Sequence, residues 1–86
     1  IQSLEIIYQS LKMGKDRIVL GEKEPLIIKN LIQETLLTLT GLTIDYIEIT
    51  DIENLSSVKT INQSVLVSLA VYFKNVRLID NIEVVV

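Results

Sequence analysis

A chain of 86 residues with 49% hydrophobic content has room for one small domain with a genuine core, and its Ile, Leu and Val richness argues against disorder. A net charge of −3, with no basic patch or aromatic series, gives no reason to expect nucleic acid, and no apolar run approaches the ~20 residues that span a bilayer. The absence of cysteine and histidine removes disulfides, thiolate metal sites and cysteine nucleophiles, together with the commonest general base and metal ligand.

The chain opens "IQSLEIIYQSL", already inside an apolar pattern and without a methionine, as expected of a cut through a longer protein. Leu4, Ile7, Leu11, Gly14 and Ile18 recur at spacings of three and four, which predicts one helix from Gln2 to Leu20 with these residues as its buried stripe. Gly14 costs about 1 kcal/mol against alanine in a helix interior, so its place in the stripe points to close approach of another element. A break at "MGKD", giving two short helices, is the alternative. Gly21 is placed to close the helix in a left-handed conformation. A second helix is expected to begin at Pro25, where a missing N–H is no loss, with Glu22 and Glu24 at the positive end of its dipole. Ile28, Leu31, Ile32, Leu36 and Leu39 form its predicted buried face and Gly41 its predicted end. The short connection makes the two helices an antiparallel hairpin.

From Leu42 the period changes to two. "LTIDYIEITD" reads as a strand with Ile47 and Ile49 on one face and Ile44, Tyr46 and Glu48 on the other. "IENLSSVKTINQ" breaks both periods and reads as a loop or a short helical turn. "SVLVSLAVYF" is the most apolar stretch and predicts a central strand with Val65, Val67, Leu69, Val71 and Phe73 on one face. Lys74-Asn75 makes a tight connection, since Asn tolerates positive φ, and the last strand begins at Val76. The sum is an α+β fold, ααβββ: a two-helix hairpin packed on a small three-stranded antiparallel sheet.

Little in the chain carries chemistry of its own. The Gly-Lys of "MGKD" lacks the upstream glycine and the Ser/Thr of a phosphate-binding loop. Asp45, Glu48 and Asp51 could be imagined as an acid–base or hard-metal set, yet they sit on alternate faces of one strand, and solvated or salt-bridged carboxylates are far commoner. The polar intrusion "VRLIDNI" is more unusual. Asp and Asn are poor strand residues, and an arginine beside packed aliphatics needs a partner. A regular strand places Arg77 and Asn81 on one face and Asp80 on the other. The expected arrangement is structural, with Arg77 paired to Asp45 or another acid of the first strand. Asp80 and Asn81 would bond backbone groups where the strand bends or leaves the sheet.

On these stretches the chain resembles the C-terminal domain of the pantoate–β-alanine ligase family. The matching positions are Asp45-Tyr46 with Asp51, then "VLVSLAVYF", then Arg77-Leu78-Ile79-Asp80-Asn81, and the "LGE" at Leu20 to Glu22 resembles the family's turn between two helices. One departure is Lys74-Asn75-Val76, where the family usually has glycine and threonine before the arginine. The resemblance spans essentially the whole chain, 1–86, as a single domain. It implies part of a cytoplasmic, homodimeric enzyme of the coenzyme A pathway, which uses ATP and Mg²⁺. Pantoate is adenylated, and β-alanine then attacks the pantoyl adenylate to give pantothenate, AMP and pyrophosphate. It also implies an N-terminal Rossmann-like domain that holds ATP through an H-x-G-H-type motif, and a Ser-Ser-Arg-Asn segment at the nucleotide site. Neither motif occurs here, so no catalytic, cofactor-binding or metal residue carries over, and the implied role is a lid over the active site. Asp45, Tyr46, Asp51, Arg77, Asp80 and Asn81 match the family as structural positions. The alternative is a free-standing α+β interaction module that dimerises through an edge strand such as "IEVVV".

Overall fold

A computed structural model describes residues 2–86. Its elements in chain order are α1 (Gln2–Val19), α2 (Pro25–Leu36), β1 (Leu42–Asp51), β2 (Val65–Phe73) and β3 (Val76–Val84). The strands form one antiparallel sheet in the order β1-β2-β3, and the two helices pack against each other and cover one of its faces.

α1 continues unbroken through Gly14, because the missing side chain is what lets α2 approach. A Cβ built on Gly14 would lie 3.0 Å from Ile32 Cδ1 and 3.3 Å from Ile28 Cγ2. The buried stripe differs from the predicted one at its start. Leu4 is exposed, and Ser3 and Ser10 are buried in line with Ile7, Leu11, Gly14 and Ile18. The Ser10 hydroxyl meets its polar requirement by donating to Ile7 O at 2.8 Å. The helix closes on Gly21 (φ +115°), with Gly21 N–H donating to Ile18 O and Glu22 N–H to Arg17 O, the two bonds of a Schellman motif.

α2 begins at Pro25, and Glu24 caps it by accepting from the Leu26 N–H. Ile28, Ile32 and Leu36 are buried, whereas Leu31 and Leu39 are half-buried. The helix stops at Leu36, short of the predicted terminator Gly41. Tight bonds such as Leu39 N–H to Leu36 O and Leu42 N–H to Leu39 O then carry the chain round, and Gly41 (φ +90°) turns it into β1.

β1 carries a bulge that the alternation pattern did not anticipate. Ile44 lies opposite Val71 and Tyr46 opposite Ala70, so Asp45 is the extra, unpaired residue. The bulge resets the period. Ile44, predicted on the face of Tyr46, instead packs on the core together with Ile47 and Ile49. β2 matches its predicted face, with Val65, Val67, Leu69 and Val71 fully buried beneath the helices and Phe73 packed at the margin. Lys74 and Asn75 both adopt positive φ (51° and 65°), the geometry of a type I′ hairpin turn.

The segment between β1 and β2 is irregular but well tied. Ile61 is a core residue hidden in the polar sequence, 1% exposed, and its N–H donates to Lys23 O at 2.8 Å. That bond pins the loop to the turn between the helices.

Candidate functional site

The sheet face away from the helices carries Tyr46, Arg77 and Asn81 of the matching positions, with Asp45 on its bulge, whereas Asp51 and Asp80 lie opposite Val65 and Leu69 in the rows of the helix-covered face. Antiparallel pairing puts directly opposite residues on the same face. The strand register therefore lays out cross-strand rows: Thr43–Tyr72–Arg77, Tyr46–Ala70–Ile79, Glu48–Ser68–Asn81 and Thr50–Leu66–Glu83. Ala70 is fully buried although no helix covers this face, with Tyr46 and Ile79 as its neighbours in the row. Tyr72 and Ile79 remain exposed.

Asp45, displaced onto the bulge, meets Arg77 across the width of the central strand. The guanidinium donates through Nη2 at 2.9 Å and through Nε at 3.3 Å, both to Asp45 Oδ2. The pair thus joins the two outer strands over β2. Because both donors converge on one oxygen, the geometry is not the bidentate fork that matches two nitrogens to two oxygens. Both side chains stay accessible, 43% for Arg77 and 38% for Asp45, so water screens the attraction. The Asp45 carboxylate raises the pKa of Arg77 above its ordinary value, and the nearby Tyr72 and Tyr46 add to the effect.

Asp51 organises the loop at the far end of β1. Its Oδ1 accepts the N–H groups of Glu53 (2.8 Å) and Asn54 (3.2 Å), and its Oδ2 accepts Gln63 Nε2 (2.9 Å). The Gln63 amide, then the two backbone donors, hold its carboxyl below the usual carboxylate range. Asp51 is a matching position in the sequence, but its role as a hub is not visible there, since its partner Gln63 lies twelve residues away. An aspartate opening a polar run such as "IENLSS" was the available signal for a turn of this kind.

In β3 the expected bend is absent. The register runs without interruption from Val76 to Val84. Asp80 does bond a backbone group, accepting its neighbour's Asn81 N–H at 2.8 Å. The Asn81 side chain, by contrast, stands exposed on a straight strand and makes no hydrogen bond among the described residues.

Asp45 is engaged by Arg77 and Asp51 by its loop, and no group of three acidic side chains converges among the described residues. An apolar groove of about 330 Å³ lies between the start of α1 and the tip of the β2–β3 hairpin, lined by Gln2, Ser3, Phe73, Lys74, Val76 and Leu78. Lys74 is the charged residue of that lining, and its ammonium sits 5.3 Å from the Phe73 ring centre. Such a groove can accept apolar surface but offers no acid–base pair.

Fold and site together define a small α+β module, a two-helix hairpin on one face of a three-stranded antiparallel sheet. The comparisons with known proteins give it a family. Residues 2–83 match the family model described as "Pantoate-beta-alanine ligase", and the chain belongs to that family. It is 41% identical over 80 residues to pantothenate synthetase of Bacillus cereus (strain G9842), covering 93% of this chain and 28% of the relative. It is 47% identical over 75 residues to pantothenate synthetase of Thermosipho africanus (strain TCF52B), covering 87% and 27%. The fold is also that of part of the crystal structure of pantothenate synthetase from Thermus thermophilus. The TM-score is 0.83 at 23% identity, over 94% of this chain and 29% of that one. The chain thus spans little more than a quarter of the length of the curated relatives it matches.

Proposed function

We propose that this chain is the C-terminal lid domain of an ATP-dependent ligase that joins pantoate to β-alanine. In that reaction a pantoate carboxylate oxygen bonds the α-phosphorus of ATP and pyrophosphate leaves. The amine of β-alanine then attacks the acyl carbon, AMP leaves, and pantothenate is formed. The nucleotide, its magnesium and the reacting acids belong to an N-terminal Rossmann-like domain of the same polypeptide, and the complete enzyme is a cytoplasmic homodimer. The observation that carries this reading is the family match along residues 2–83 of a chain that spans about 28% of its relatives.

The part assigned to this chain is coverage. An acyl adenylate is destroyed by water, so a body that closes over it improves yield without supplying a nucleophile. A lid must move as one piece to do this. Two features support that requirement: the close α1–α2 contact at Gly14, and the Asp45–Arg77 clasp across the sheet. Arg77, on this reading, adds a small, solvent-screened contribution to the lid's shape and does not touch substrate.

The test compares the full polypeptide with a variant lacking this region, assaying AMP and pantothenate together. The complete enzyme should release them in matched amounts. The truncated one should form far less pantothenate, with AMP release outrunning it as intermediate is lost to water. Undiminished pantothenate formation by the truncated enzyme would sink the proposal.

A further inference from the structure

The two outer strands of a sheet present unpaired backbone groups that invite strand addition, and this sheet treats its two edges differently. The outer side of β1 is covered by the chain itself: Asp51 N–H donates to Ser56 O, Val58 N–H donates to Ile49 O, and Thr50 bridges to Ser57. Further along, the bulge at Asp45 interrupts the regular spacing that a new strand would need. On the outer side of β3, no segment pairs among the described residues.

The hairpin turn fixes which β3 groups face outward. Lys74-Asn75 is a two-residue loop, so its flanking pair, Phe73 and Val76, exchanges hydrogen bonds. Bonded pairs then recur at every second residue, at Leu78, Asp80, Ile82 and Val84. The N–H groups of Arg77, Ile79, Asn81 and Glu83 consequently point away from β2. The Asn81 N–H, near the middle of that free row, is the one that the Asp80 carboxylate occupies.

We propose that Asp80 guards this edge against pairing with another strand, including β3 of a second copy. Two effects combine. The carboxylate takes the Asn81 N–H that an incoming carbonyl would need. It is also a charge on the helix-facing side of an edge strand, opposite fully buried Leu69 yet itself exposed. An added strand would have to strip that charge of water. The guard accounts for an aspartate in a strand otherwise suited to pairing, and it opposes assembly through the β3 edge.

Two measurements on the 86-residue chain test this. Hydrogen exchange of the wild type should show Asn81 N–H exchanging at least tenfold more slowly than the outward-facing Ile79 N–H, with the difference lost in Asp80→Ala. Sedimentation equilibrium should show self-association at least tenfold stronger for Asp80→Ala than for wild type. Glu83→Gln removes the same charge from the same strand without touching a backbone donor, and should stay at the wild-type value. Equal exchange of Asn81 and Ile79 in the wild type would overturn the proposal. So would an Asp80→Ala chain that associates no more than wild type, or a Glu83→Gln chain that associates as strongly as Asp80→Ala.

Discussion

Replacing Gly14 with alanine sets two effects of opposite sign against each other. Helix propensity alone favours the change by about 1 kcal/mol, because glycine is the poorest interior helix former after proline. Packing opposes it. The new methyl would sit 3.0 Å from Ile32 Cδ1, 3.2 Å from Ile32 Cγ1 and 3.3 Å from Ile28 Cγ2, where carbon contacts prefer roughly 3.5–4.0 Å. Ile28 and Ile32 are both completely buried, so neither can swing into solvent, and the helices must part or the rotamers strain. Overpacking of this kind costs about 1–3 kcal/mol. The expected sum is a loss of about 1 kcal/mol, or a fall of about 4–8 °C in Tm for a domain of this size. Thermal and urea unfolding measure it. Ile32→Val removes the Cδ1 that makes the closest contact. Alone it should cost about 0.5–1.5 kcal/mol, yet added to Gly14→Ala it should cost markedly less, a coupling of about 1 kcal/mol in a double-mutant cycle. A Gly14→Ala chain more stable than wild type, or a strictly additive cycle, would refute the reasoning.

The half-exposed Asp45–Arg77 clasp should be weak. Arg77→Ala should lower Tm slightly, less so at high salt, and the double variant with Asp45→Ala should be no worse than either single one; under the proposed ligase function, the same variant in the longer polypeptide should reduce yield more than it raises KM for ATP. Asp51 has a depressed pKa, so its contribution is present above the unfolded carboxylate range near ~3.9 and fades as the pH falls through the lower folded value. Protection of the Glu53 and Asn54 amides, taken relative to their intrinsic exchange rates at each pH, should therefore fall in that acid window, and Asp51→Ala should show the loss already at neutral pH. Ile61→Ala should cost about 2–5 kcal/mol, because a residue 1% exposed in the loop closes the core; near-neutral stability would show the loop to be dispensable.

Sequence made visible what depends on one residue's own chemistry. Gly14, Gly21, Pro25 and the Lys74-Asn75 turn each announce a backbone requirement that few other residues meet, and the structure uses each of them in that way. Periodicity failed where size outranked hydrophobicity. Leu4 is the more apolar residue, yet Ser3 and Ser10 are buried and Leu4 is exposed. It failed again at Asp45, because a bulge adds a residue without leaving an apolar signature and carries Ile44 to the other face. At the candidate site, a charged pair within strands is legible since Arg77 must find an acid. The Asp51 hub is less so, because Gln63 reaches it only once the loop has closed. Ile61 was hidden for a similar reason: an isolated apolar residue in a polar run becomes core only when the loop folds back to Lys23.

The central claim is that this domain covers a reaction whose reagents are held elsewhere in the polypeptide. Calorimetric titration of ATP, with pantoate and Mg²⁺ present, into the folded 86-residue chain tests it most directly. No saturable heat beyond dilution is expected. Micromolar binding at a defined site on this chain would contradict it.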